Sequence, residues 1–153
     1  MRLVVAVVGK PRNAALAAAI HDYETRAARY WPLEVHEVRE ERAGATSSVM
    51  VRSREGARLA ERTASCRLVA CEEGGRSFSS EEFSAWLTTC REGGQDTALL
   101  IGGAFGLDED LVGRASLKLS LAPWTLAHEL ARLVLAEQLY RAGSIARGEP
   151  YHK

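Results

Sequence analysis

The stretch TALLIGGAFGLDED, Thr97–Asp110, carries the reading from which the fold follows. Thr97–Ile101 is an uncharged, apolar run that leads straight into paired glycines and then an acidic run. A short apolar run bounded by turn residues is what a strand buried on both faces of a parallel sheet shows. Gly102, Gly103 and Gly106 let the backbone turn tightly there and approach a ligand closely. The spacing is GG-x-x-G rather than G-x-G-x-x-G, so the dinucleotide fingerprint is not met. Asp108, Glu109 and Asp110 follow at once and would repel a pyrophosphate, so a ligand lacking phosphates fits better. Taken alone, the turn is equally a structural one.

Outward from this stretch, strand-like and helix-like segments alternate. LVVAVVG (Leu3–Gly9) is a second strand of the doubly buried kind. Leu16, Ile20, Tyr23, Ala27 and Tyr30 recur at helical spacing, predicting a helix that Pro32 stops. Leu33–Val38 reads as a strand, 39–48 as a polar loop, and about Val49 to Arg62 as a weaker helix interrupted by Gly56. Arg67–Glu72 is the next strand. Ser79 and Glu82 have capping-box spacing, and Phe83, Trp86, Leu87 and Cys90 form one helical stripe that Gly93-Gly94 ends. Leu117–Leu121 alternates like a strand. The last helix is expected from about Leu126 to Ile145, with Leu130, Leu133, Val134 and Leu139 available for burial. This rhythm predicts an α/β fold: a mostly parallel sheet with helices on both faces, in one domain over 1–153. Ligands in such sheets sit at the carboxyl ends of the strands, which selects Cys71–Gly75, Gly102–Gly106 and Ala122–Ala127.

The 153 residues, 46% hydrophobic and 26% charged, suit one globular domain and exclude collagen-like or disordered classes. No apolar run approaches the roughly 18 residues of a spanning helix. The opening segment reads as a strand rather than a signal peptide, so the expected location is the cytoplasm. Twenty basic and twenty acidic residues cancel, but unevenly along the chain. Residues 1–67 carry 12 Lys/Arg against 8 Asp/Glu, 68–113 carry 2 against 9, and 114–153 carry 6 against 3. Two basic ends around an acidic middle could grip a polyanion; an ordinary mixed-charge surface reads the same way. Cys66, Cys71 and Cys90 form no C-x-x-C pair and have no His at ligand spacing, so reduced, packed thiols and no metal are expected.

Two further segments could carry chemistry. In LAPWTLAHE, Pro123 breaks the chain between strand and helix, and Thr125 could cap that helix. Trp124 could cover a purine, although filling the core is the preferred role, and His128 reads as an ordinary surface histidine. The tail places Tyr151, His152 and Lys153 together: a ring that can stack, an imidazole that titrates near neutrality, and a cation. Lys153, Arg141 and Arg147 could meet phosphates. From composition alone an inert, frayed tail is the simpler reading.

LLIGGAFGL, the ending LYRAGSIARGEPYHK, and the opening VVGK with HDYETRAARYWPLEVHEV together resemble the ribosomal RNA large subunit methyltransferase H family, of the SPOUT class. The resemblance covers essentially the whole chain. It implies methyl transfer from S-adenosylmethionine to N3 of a pseudouridine in 23S ribosomal RNA, by a homodimer, without a metal. It also implies a deep trefoil knot in the C-terminal half, which no periodicity would suggest. By the same resemblance the methyl donor lies among Cys71, Gly102, Gly103, Ala122, Pro123, Trp124, Thr125, Leu126 and Ala127. Tyr151, His152 and Lys153 match a segment that closes over donor and RNA on the partner's site. Because N3 is a neutral imide nitrogen that must lose its proton, His152 is expected to take or stabilise that proton as a general base, with Lys153, Arg141 and Arg147 toward phosphate. The departures are Cys71 where Leu is frequent, Ala127 where Pro is common, and Lys153 where Arg is frequent, which loses a bidentate fork. The alternatives are a methyltransferase of another RNA, such as transfer RNA, and a non-catalytic RNA- or nucleotide-binding module on the same fold.

Overall fold

The computed structural model describes residues 1–42, 44 and 46–153; Ala43 and Ala45, in the expected polar loop, lie outside the described residues. Five strands, β1 (Leu3–Val8), β2 (Leu33–Val38), β3 (Arg67–Ser77), β4 (Thr97–Ile101) and β5 (Leu117–Ser120), form one sheet in the order β2-β1-β4-β3-β5. Every neighbouring pair is parallel. The connections are α1 (Ala14–Ala27), α2 (Ser48–Arg62), α3 (Ser80–Glu92) and α4 (Glu109–Arg114), and α5 (His128–Ala146) follows β5.

The apolar runs are buried on both sides. Successive β1 side chains point to opposite faces, so Leu3, Val5 and Val7 enter one core with Trp31, Leu87, Leu135 and Leu139, while Val4, Ala6 and Val8 enter another with Leu59, Leu107 and Leu111. Helices α1, α3 and α5 therefore cover one face and α2 and α4 the other. All six β1 residues are at most 3% exposed. At roughly 25 cal/mol per Å² of apolar surface, such a strand contributes several kcal/mol of burial. The indole N–H of Trp31 donates to the Leu139 carbonyl at 2.8 Å, so the buried ring leaves no orphaned donor.

Local signals explain the helix ends. Ser79 and Glu82 make the reciprocal capping box at α3, and Gly93 closes it. Asn13 and Ser47 cap α1 and α2.

Two expectations are corrected, and one helix appears that the sequence reading did not place. The strand expected at Arg67–Glu72 continues to Ser77, because Leu119 of β5 pairs with both Cys71 and Arg76 and the residues between bulge out of the ladder. The acidic run after the glycines is helical: Asp108 accepts from the Asp110 N–H as cap of α4, with Glu109 and Asp110 in its first turn, where the helix dipole favours negative charge. In α5 the buried face is Arg132, Leu135, Ala136, Leu139, Ala142 and Gly143, whereas Leu130 is 42% exposed. Among the described residues no helix is long and apolar enough to cross a membrane.

Candidate active site

Because all strands run the same way and β4, β3 and β5 are neighbours, their carboxyl ends open on one edge. The three turns selected from the sequence meet there around a cavity of about 200 Å³. Of the expected donor-site residues, Cys71, Gly102, Gly103, Ala122, Trp124, Thr125 and Leu126 line it; Pro123 and Ala127 belong to the same loop but not to the wall. The glycine turn is closed on itself. A Cβ at Gly102 would lie 2.4 Å from the Gly106 carbonyl carbon, Gly106 has φ +81°, and its N–H donates to the Gly103 carbonyl at 3.0 Å. Side chains are thereby excluded from that wall, which presents backbone to the cavity.

The bulge in β3 adds Glu72 and Glu73 to the wall, and the start of α5 adds His128. Glu72 and Glu73 fall within the turn selected from the sequence, Cys71–Gly75, without being singled out there as donor-site residues, whereas His128, read from the sequence as an ordinary surface histidine, lines the cavity. Burial pushes the Glu72 carboxyl above its ordinary range, against the pull of Lys118 and Arg52. Burial also pushes the Cys71 thiol up to about 12, so it is an apolar wall atom and no nucleophile. No Lys or Arg lines the cavity. The wall thus suits a flat, partly apolar ligand of neutral or positive charge that takes hydrogen bonds from backbone.

Two expectations about the third turn change. Thr125 does not cap α5, whose N-cap is Ala127 without a side-chain bond; its hydroxyl instead donates to Glu73 and ties the turn to the β3 bulge. Trp124 does not fill the core. It is 76% exposed at the cavity rim.

Behind the glycine turn, Glu55 of α2 is 2% exposed. Its Oε1 accepts from the Glu41 N–H at 2.9 Å, while its Oε2 has no partner among the described residues and lies against Gly103. Burial raises its carboxyl above the ordinary range, against the hydrogen bond from the Glu41 N–H; the charges of Glu40 and Glu41 add to the rise and Arg58 opposes it.

The tail is docked rather than frayed. The Tyr151 ring packs on Tyr140 with centroids 4.5 Å apart, and its hydroxyl donates to Glu137 Oε1 at 3.0 Å. Arg141 is held by Glu137 at 2.6 Å and lies over the Tyr151 ring. One Arg141 N–H reaches His152 Nδ1 at 3.2 Å, and His152 Nε2 lies 2.7 Å from Glu81 Oε1. Guanidinium has no acceptor, so Nδ1 is the unprotonated nitrogen and the Nε2–H donates to Glu81. Arg147 donates to the Arg29 carbonyl and covers the Tyr30 ring, and Lys153 is exposed. None of Tyr151, His152 and Lys153 lines the cavity. Glu137, on which the tail docks, stands about 13 Å along the α5 axis from His128 at 1.5 Å per residue. Among the described residues no group of His, Cys, Asp and Glu is arranged to hold a metal.

A family model described as "Predicted SPOUT methyltransferase" matches residues 1–152. The chain is 54% identical to the ribosomal RNA large subunit methyltransferase H of Gemmatimonas aurantiaca over 100% of both chains. It is 44% identical to the protein of the same name from an Anaeromyxobacter species, again over 100% of both. Among solved structures, a probable methylase family protein from Haemophilus influenzae superimposes with a TM-score of 0.59 at 12% identity, covering 99% of this chain and 70% of that one.

Proposed function

This chain belongs to the SPOUT methyltransferase family, and we propose that it transfers the methyl group of S-adenosylmethionine to N3 of a pseudouridine in 23S ribosomal RNA, as a homodimer. The observation that carries this reading is the cation-free cavity where three turns converge at the carboxyl edge of β4, β3 and β5. The residues fit the donor. A wall kept free of side chains at Gly102 and Gly103, apolar flanks at Leu126 and Cys71, and two carboxylates at Glu72 and Glu73 suit an adenosine joined to a sulfonium. The full-length identity to ribosomal RNA methyltransferases supports ribosomal RNA as the acceptor over transfer RNA or a purely binding role.

When bound, S-adenosylmethionine supplies an electrophilic methyl that an in-line displacement removes without metal or covalent intermediate. What this chain contributes is placement and a proton acceptor. The turns after β3, β4 and β5 hold the donor. A pseudouridine N3 is a neutral imide nitrogen until its proton leaves, and His152 is the group that takes it. Arg141 and Lys153 meet the phosphates that flank the target base. Two features support the homodimer: the tail lies away from its own chain's cavity, and Trp124 and Leu130, both exposed, stand at the amino end of α5 beside that cavity. A partner's tail can then complete each site. The trefoil knot belongs to the same reading; its support is the family match and the placing of the last strand, β5, at the sheet edge beside β3 rather than β4.

The test is incubation of the protein with S-adenosylmethionine and ribosomes from cells lacking it, followed by nucleoside digestion and mass spectrometry. N3-methylpseudouridine is expected in 23S ribosomal RNA with the wild type, and its formation is expected to fall by about 10²–10⁴-fold for His152→Ala. Donor binding by calorimetry without any such product would refute the acceptor, and undiminished turnover by His152→Ala would remove it from the mechanism.

A further inference from the structure

Glu81 has no part in the donor cavity, and although it lies in the first turn of α3 it is not part of the capping box, which Ser79 and Glu82 form. Its carboxylate is nonetheless held below the usual range, by its own backbone N–H, by His152 and by Ser79. This anionic group lies 2.7 Å from His152 Nε2, while Arg141 occupies Nδ1 from the other side. A neutral imidazole has one N–H, and the two partners demand opposite things of the two nitrogens. A carboxylate can only accept, so it requires Nε2–H; a guanidinium can only donate, so it requires a bare Nδ1. Both demands select one tautomer. Glu81 is anchored by α3 and Arg141 by Glu137 of α5, so the imidazole is held between two packed helices although it sits in a terminal segment.

We propose that Glu81 is a positioning residue for His152, fixing the Nε2–H tautomer so that Nδ1 is the nitrogen that accepts the proton of the methylated base. This rests on the reading of His152 as the general base. In the step, the N3–H bond of the base breaks and Nδ1–H forms. N3 gains the methyl, and the electron pair of the broken S–C bond stays on sulfur as a thioether. Nε2–H remains on Glu81 throughout, and the carboxylate offsets the charge of the imidazolium that results. Arg141 must leave Nδ1 first, and a backbone phosphate of the RNA offers its guanidinium a stronger partner than an imidazole lone pair. Substrate binding thereby uncovers the base. In its absence Nδ1 stays covered.

The experiment compares wild type, Glu81→Gln, Glu81→Asp and Glu82→Ala by ring ¹⁵N NMR of the four histidines, with His152 assigned through His152→Ala, and by methylation kinetics on ribosomes. Glutamine keeps the length but offers both an acceptor and a donor, so it no longer dictates the tautomer. Glu81→Gln should turn a single Nε2–H signal set into a mixture and lower kcat about tenfold, less than loss of the base itself, with KM for the donor unchanged. Glu81→Asp should restore part of both. Glu82→Ala breaks the α3 capping box and should move neither, which separates positioning from helix damage. A wild-type His152 protonated on Nδ1, or a Glu81→Gln kcat within twofold of wild type, would overturn the proposal. Normal turnover by His152→Ala would overturn the base assignment instead, and Glu81's role with it, whatever the NMR showed.

Discussion

Arg132 makes a demand on the fold that a single substitution can expose. It lies in α5 with its side chain 8% exposed, yet it carries a full charge. Its Nε and one terminal nitrogen grip both oxygens of Glu24 in α1, at 2.8 and 3.1 Å, and its other terminal nitrogen meets Glu37 of β2 at 2.7 Å. The guanidinium loses solvation there, and the two carboxylates more than restore its preference for charge, leaving its pKa raised. Arg132→Ala removes three charge-assisted hydrogen bonds and leaves two neighbouring carboxylates, 13% and 27% exposed, with no cation between them. Breaking a buried pair in this way costs about 3–5 kcal/mol. For a chain of this size each kcal/mol is worth about 2–4 °C, so Tm should fall by about 6–20 °C. Thermal unfolding followed by circular dichroism at pH 7 and fixed protein concentration reads this directly. The variant Arg132→Met/Glu24→Gln/Glu37→Gln should recover most of the loss, because no stranded charge remains. A fall below about 3 °C for Arg132→Ala, or a triple variant no better than the single one, would refute this account of the triad.

Trp124→Ala should change the unfolding free energy by less than about 0.5 kcal/mol, since the ring is 76% exposed, but should weaken self-association in sedimentation if that ring lies in a subunit interface. Gly102→Ala places a methyl 2.4 Å from the Gly106 carbonyl carbon. The glycine turn must open, and donor affinity by calorimetry should fall at least tenfold while the fold persists, at a cost of about 1–3 kcal/mol. Glu55 has a folded carboxyl pKa above its unfolded value, so it costs stability once pH rises past the unfolded value, near 4.3, and this cost grows until the folded value is passed. Glu55→Gln should therefore be more stable than wild type by about 1 kcal/mol at pH 7 and equal to it near pH 4, read from urea unfolding at the two pH values.

The parallel α/β architecture was legible because burial on both faces leaves an unmistakable trace. LVVAVV and TALLI carry no charge, and both proved fully buried. The α3 capping box and its glycine stop were legible because they are local, satisfied within a few residues. The three site turns followed from one rule about carboxyl edges. The errors have a common source. Whether Trp124 is core or rim, whether Thr125 bonds the α5 end or Glu73, and which stripe of α5 is inside depend on partners far away in sequence.

By its own order of residues the chain determines where strands and helices form, since backbone hydrogen bonds, caps and apolar periodicity act over a few residues. It does not determine that Glu73 meets Thr125, that Arg132 finds Glu24 across 108 positions, or that a terminal histidine is held between Glu81 and Arg141. Those pairings come from packing α1, α3 and α5 on one side of a sheet ordered β2-β1-β4-β3-β5. Non-local contacts have no signature in a single chain, because their energy exists only once the intervening segments have paid the entropy of being brought together.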